Sequence, residues 1–277
     1  MTGMIFTLKS PPELPVDLSP LIPEKLDGKT KTQIGEIQLL SGKEHIKVSK
    51  IFSTRGSDSS HIEFHRSSSK LTHIGQGMTK GSVSIHGDSG DFLGKNMCGG
   101  QIESFGNTGD WTASSMSGGL IEIHGNTGDY LGSNFSGEQQ GMNEGTVIVS
   151  GNAGNRVGER MRRGMIVIRG QAGDYCANQM LAGSIIILGK TGAYLGYGMK
   201  RGTIVLIKKP KHIIATFHDC GLLKIEFLRL LFKQMAISNK QCSDFSKFGP
   251  EAIRYAGDIS CSGKGEILIL QNARLSK

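Results

Sequence analysis

The sequence is short of the features that announce most functions. No apolar run approaches the ~20 residues that cross a membrane as a helix. The opening MTGMIFTLKSPPELP has no secretory leader pattern. The 5 cysteines (Cys98, Cys176, Cys220, Cys242, Cys261) are odd in number and form no C-x-x-C pair. They read as reduced, buried or inert thiols of a cytoplasmic chain. No basic-aromatic nucleic-acid module is present, although a net charge of +8 and a pI near 9.2 invite an anionic partner.

Catalytic constellations are equally scarce. His61-Ile62-Glu63-Phe64-His65 lacks the helical H-E-x-x-H order of a zinc hydrolase. On a strand its two histidines lie about 13 Å apart, so no metal is assigned. In His218-Asp219-Cys220, adjacent residues of an extended chain face opposite ways, against a nucleophile and its base. The carboxylates Asp88, Asp91, Glu103, Asp110, Glu122, Asp129 and Asp174 read as scattered through different turn columns, without the acids clustered on one face of a sugar-cleaving enzyme. Gly75-Gln76-Gly77-Met78-Thr79-Lys80-Gly81 and Gly189-Lys190-Thr191 look like phosphate loops, but Ser184 stands where a Walker-type loop needs glycine.

What is present is a repeat. Met78, Met97 and Met116 are nineteen residues apart, as are Met142, Met161, Met180 and Met199. The one irregular step, Met116 to Met142, carries a seven-residue insertion around Phe135–Gly141. Glycine follows each methionine by three residues, and an aliphatic follows by five (Val83, Ile102, Ile121, Val147, Ile166, Ile185, Ile204). Another aliphatic usually comes two further on, with Ser104 the exception. Aliphatics two apart share one face of a short strand. A strand of about four residues needs its copies as neighbours. The expected fold is all-β: a right-handed parallel β-helix of about seven 19-residue coils, with the methionines as an internal column. Residues 1–70 read as an N-terminal capping segment, 71–207 as the glycine-rich β-helix, and 208–277 as a C-terminal helix and tail. Leu223, Phe227, Leu230, Leu231 and Met235 mark the expected amphipathic helix.

One charge pattern follows the period. Arg162-Arg163 and Lys200-Arg201 are thirty-eight residues apart, two repeats, so they occupy the same turn positions. Arg156 and Arg160 lead into the first pair. The bland reading is a solvated basic edge; the functional one is a docking strip for an anionic surface or a polycarboxylate. The insertion reads equally as an inert loop or as a partner contact.

The chain as a whole resembles the C subunit of formylmethanofuran dehydrogenase. The residues that carry this are Pro23-Glu24-Lys25-Leu26-Asp27-Gly28-Lys29-Thr30, Ile74-Gly75-Gln76-Gly77-Met78, Gly141-Met142, Gly257-Asp258 and Gly263-Lys264-Gly265-Glu266. Gly192-Ala193-Tyr194-Leu195-Gly196-Tyr197-Gly198-Met199-Lys200-Arg201-Gly202 and Cys220-Gly221 look more like the bacterial branch, the C subunit of the formyltransferase/hydrolase complex of methylotrophs. The glycine-rich domain of glutamate synthase shares the repeat but not these flanks, and stands as the alternative. The resemblance implies a non-catalytic scaffold with no cofactor of its own. Its expected partners are an amidohydrolase-like A subunit that carries zinc, a B subunit, and a D subunit that is the formyltransferase. Formyl groups there move between tetrahydromethanopterin and a methanofuran-type carrier, and the bacterial carrier bears a polyglutamate chain suited to the basic column. No catalytic residue is carried over.

Overall fold

The aliphatic at each fifth position after methionine stacks on its copies. The computed structural model describes residues 3–271. In chain order the strands are β1 (Gly3–Leu8), β2 (Val16–Asp17), β3 (Gln38–Ser41), β4 (Glu44–Lys47), β5 (Phe52–Arg55), β6 (Asp58–Ser67), β7 (Leu71–Thr72), β8 (Ser82–Gly87), β9 (Gln101–Ser104), β10 (Ser117–Ile123), β11 (Glu144–Val149), β12 (Met165–Ile168), β13 (Ser184–Ile187), β14 (Arg201–Leu206), β15 (His218–Lys224), β16 (Glu251–Gly257) and β17 (Lys264–Leu270). The α-helices are α1 (Pro23–Leu26), α2 (Lys31–Gly35), α3 (Val48–Ile51) and α4 (Glu226–Ser238); a 3-10 helix spans Lys240–Lys247. From β8 to β14 each strand pairs in parallel with the next, Val83 beside Ile102, then Ile121, Val147, Ile166, Ile185 and Ile204. The column extends beyond the repeat, through Ile62 and Met4 at one end and Ile267 at the other. All of these side chains are buried.

The fold class expected from the sequence is corrected. In place of an all-β, right-handed parallel β-helix of about seven coils, the described residues form a thirteen-stranded, mostly parallel sheet, a separate four-stranded sheet and four α-helices. The period specifies one strand per nineteen residues, so one sheet grows from it, and most of the rest of each unit is turn. The flanks obey no period, yet they add β1, β5 and β6 at one end and β15, β16 and β17 at the other. Three of these pairings, β1–β5, β15–β16 and β16–β17, are antiparallel. In the sheet β4-β3-β2-β7, three strands come from residues before the repeat and β7 from its first two residues.

Helix α4 also departs from the expected face. It starts at Glu226, because residues 222–224 belong to β15. Leu228, Phe232 and Met235 are buried against Ile148, Val167, Ile186 and Val205 on the outer side of the sheet. Phe227 and Leu230, expected inside, are 65% and 67% exposed. Arg169 on the sheet side grips Asp244 of the 3-10 helix through two hydrogen bonds of 2.8 and 2.9 Å, which fastens this layer down. Among the described residues no helix is long and apolar enough to cross a membrane.

The seven methionines from Met78 to Met199 are fully buried. Their methyls explain the glycines three residues after the next methionine. At Gly119, φ is +92° and a Cβ would lie 2.7 Å from both the Gly100 carbonyl oxygen and the Met97 methyl. Only glycine meets both demands.

Candidate functional site

The turn just before each methionine builds one surface. In successive units its aromatic position holds His73, Phe92, Trp111, Tyr130, Tyr175 and Tyr194, with Arg156 between the tyrosines. Every one of these seven has a left-handed backbone, φ between 54° and 64°, which aims the side chains outward in one column. Trp111 and Tyr130 stack at 4.7 Å and 4°, Tyr175 and Tyr194 at 4.7 Å and 13°. Arg156 bridges the two halves, its guanidinium 5.9 Å from the Tyr130 ring and 5.2 Å from Tyr175. It also pairs with Glu159 at 3.0 Å.

The insertion folds onto this column. Phe135 meets Phe92 and Trp111 edge-on at 5.5 and 5.9 Å, and Lys95 Nζ lies 3.9 Å from the Phe135 ring. The Glu138 carboxylate accepts from the Ser115 hydroxyl and the Phe135 amide. The loop is held by specific contacts, and it walls a groove of about 430 Å³ with Trp111, Tyr130, Arg160 and Gln179.

That groove runs into two more. Gln139, Arg160 and Gln179 are shared with a groove of about 610 Å³ that continues past Tyr197 to Lys200, Ser260 and Cys261. Leu181 and Lys200 are shared with a third, of about 420 Å³, lined by Arg162, Arg163, Arg201 and Lys264. The trough therefore passes from rings and amides to five cations, and among the described residues no carboxylate lines its basic end. Arg162 donates to Gln140 Oε1 at 3.1 Å and Arg160 to Gln179 Oε1 at 3.0 Å. Among the described residues Arg163, Lys200, Arg201 and Lys264 have no carboxylate within 4.0 Å.

Of the six basic residues singled out in the sequence, Arg160, Arg162, Arg163, Lys200 and Arg201 line this trough. Arg156 does not; it belongs to the ring column. Lys264 was missed. It pairs with Arg201 across β14 and β17, and Gly265 pairs with Gly202, so the signal was a further unit hidden in the tail after a break in the period.

Other candidates find structural roles. The expected scatter of the acids over different turn columns is corrected: Asp91, Asp110 and Asp129 share one column, and each accepts the backbone N–H of the residue one repeat on, at 2.7–2.9 Å. Asn107, Asn126 and Asn152 do the same in a parallel ladder. Burial, with Asp91 and Asp129 close by, raises the Asp110 pKa. Cys176 and Cys242 are buried, their thiols pushed up to about 12 and about 11 by burial, whereas Cys98, Cys220 and Cys261 are exposed. All five are free, and burial accounts for two of them while Cys98, Cys220 and Cys261 lie at the surface. Cys220 lies on the exposed edge strand β15 beside His218 and Asp219, where Asp219 accepts the Gly221 amide at 2.8 Å. His61 and His65 both face outward from β6, with Glu63 between them.

The flanking motifs clamp the ends. Glu24 Oε1 accepts the Thr79 and Lys80 amides and the Thr79 hydroxyl at 2.6–2.7 Å. Burial pushes its pKa up, but those hydrogen bonds pull it further down. Asp258 accepts the Gly198 amide at 3.0 Å, at the last repeat.

Two curated relatives, both named as the C subunit of tungsten-containing formylmethanofuran dehydrogenase 2 from Methanococcus maripaludis, are 31% and 32% identical over 95 residues. The match covers 34% of this chain and 35% of theirs, so it spans about a third of those relatives. A chain in the crystal structure of the formyltransferase/hydrolase complex (FhcABCD) from Methylorubrum extorquens, in complex with methylofuran, superposes with a TM-score of 0.89. It is 31% identical, and the alignment covers 97% of this chain and 100% of that one. With the GXGXG motif matching residues 13–230 as well, the chain belongs to the family of formylmethanofuran dehydrogenase C subunits, in the branch of the bacterial formyltransferase/hydrolase complex.

Proposed function

We propose that this chain is a non-catalytic scaffold of a cytoplasmic formyltransferase/hydrolase complex in tetrahydromethanopterin-linked one-carbon metabolism. The complex passes the formyl group to a methanofuran-type carrier and releases it as formate. A formyltransferase and a zinc-bearing, amidohydrolase-like partner perform the chemistry. This chain holds them and receives the polyanionic tail of the carrier in its trough. The observation that carries the reading is the basic end: five cations on one groove with no lining carboxylate among the described residues. Such a surface attracts a chain of carboxylates at several points at once. The methylofuran held by the related complex supports a carrier of that class. A free-standing domain like that of glutamate synthase accounts for the repeat but leaves the clamps at Glu24 and Asp258 without counterparts.

The test is to replace Arg162, Arg163, Lys200 and Arg201 together with glutamine and purify the complex. Loss of about 1.4 kcal/mol over the four charges, within the range of exposed pairs, raises KM for the carrier about tenfold with kcat unchanged. The rise should shrink with added salt. Unchanged KM in a fully assembled complex overturns the carrier role. A tagged wild-type chain that purifies without its partners overturns the scaffold role separately.

A further inference from the structure

The outer face of the sheet at its N-terminal end gathers imidazoles and one carboxylate. Along β6, His61, Glu63 and His65 alternate with buried Ile62 and Phe64, so all three face outward. The next strand places His86 directly beside His65. Glu63 is the centre: its Oε2 lies 2.7 Å from His65 Nε2 and 3.7 Å from His86 Nε2. One donor atom from each of Glu63, His65 and His86 lies within 4.8 Å of the other two. Donors around a tetrahedral zinc-class ion, each bound at about 2.1 Å, sit roughly 3.4 Å apart. The observed separations bracket that value, and small side-chain rotations suffice to equalise them.

The surroundings orient these ligands. His86 stacks on Phe105 at 4.9 Å and 9°, and its ring lies 4.4 Å from that of His65. Phe105 is 45% exposed and stacks on His124 on its other side, so its place is fixed by rings rather than by the core. Beside the triad, His61 Nδ1 is 2.5 Å from Ser82 Oγ, and its Nε2 is 3.5 Å from Glu63 Oε1. Each ligand side chain keeps between 24% and 42% of its surface, so an ion has a path in and one open position. His61 Nε2 and His65 Nε2 both reach the Glu63 carboxylate, at 3.5 and 2.7 Å, but among the described residues the donors that lie within 4.8 Å of one another are those of Glu63, His65 and His86. The second imidazole comes instead from β8, twenty-one residues on, where the register puts His86 opposite His65.

We propose that Glu63, His65 and His86 form a binding site for one divalent cation of the zinc class, which ties β6 to β8 and leaves one coordination position open outward. Two imidazoles and a carboxylate suit zinc, cobalt or iron rather than calcium or magnesium. The site is independent of the trough and of the carrier reading.

The experiment is a titration of the purified, metal-stripped full chain with Co(II), followed by its visible d–d bands and then by displacement with zinc. One equivalent should bind and raise the melting temperature. His86→Ala and Glu63→Gln should each weaken binding at least about tenfold with unchanged circular dichroism. His45→Ala, on the exposed strand β4, should bind as the wild type does. Absence of d–d bands at stoichiometric cobalt overturns the proposal. So does the same cobalt affinity in His86→Ala and wild type, which would place the ion elsewhere.

Discussion

At the scale of the residue, the ladders assign the acids their work. Asp110 offers Oδ1 to the Asp129 amide at 2.8 Å while it sits between Asp91 and Asp129. The acceptor is needed; the charge is not, since Asn107, Asn126, Asn152 and Asn155 fill the same role. Burial and the neighbouring aspartates raise the folded-state pKa of Asp110 above its ordinary value of 3.8. A raised carboxyl pKa means that the ionised form costs stability. The cost is complete above the raised pKa and absent below the ordinary one. Asp110→Asn should therefore stabilise the chain at neutral pH by about 0.5 kcal/mol, a modest figure because the group is only partly buried and solvent screens it. The advantage should shrink as pH falls toward about 4. Urea midpoints of the two proteins at both pH values check it; a variant less stable at neutral pH shows that the negative charge itself is used.

At the scale of the element, the strands of the repeat were legible and their surroundings were not. Methionine, glycine and paired aliphatics recur at fixed offsets, so β8 to β14 and their register follow from spacing alone. Strands β1, β5 and β17 join the same sheet without that spacing, because pairing across the chain leaves no local period. Lys264 and His86 were missed for the same reason: each gains its meaning from the residue across the ladder. The helix was legible as a helix, but its buried face only in part: Met235 is buried and Leu231 packs against the same cluster, as expected. Leu223 lies in strand β15 and Phe227 and Leu230 point outward, while Leu228 and Phe232 go in. Apolar residues surround α4, so periodicity gives two rival faces, and the Ile148, Val167, Ile186 and Val205 stripe selects one. Phe232→Ala should then cost about 3–5 kcal/mol, whereas Phe227→Ala should cost under about 0.5 kcal/mol. Denaturant unfolding of both variants measures the difference. Equal effects reject this packing.

At the scale of the whole molecule, the chain is a register held at two ends. The Glu24 clamp fixes the first turn after Met78, and the Asp258 clamp fixes the last turn before Met199. Between them each unit contacts chiefly its neighbours, so stability is close to a sum over units and interfaces. Such a ladder tolerates loss of a whole unit but not of a fraction. Residues 91–109 make nineteen, lie outside the footprint of α4, and include β9 with buried Ser104, whose hydroxyl lacks a hydrogen-bond partner. Their deletion joins Gly90 to Asp110 and brings Val83 beside Ile121, with both clamps kept. Deletion of eighteen residues, 91–108, instead leaves one residue too many between β8 and β10. A one-residue slip turns every side chain of a strand to the other face. The nineteen-residue deletion should unfold in one cooperative transition with a reduced midpoint. The eighteen-residue deletion should aggregate or lose cooperativity, because Ile121 and Ile123 are aimed out of the core. Calorimetry and size-exclusion chromatography of the two proteins decide it. If both behave alike, the nineteen-residue register does not govern the fold, and the trough, whose cations are aligned by that register, loses its structural basis as well.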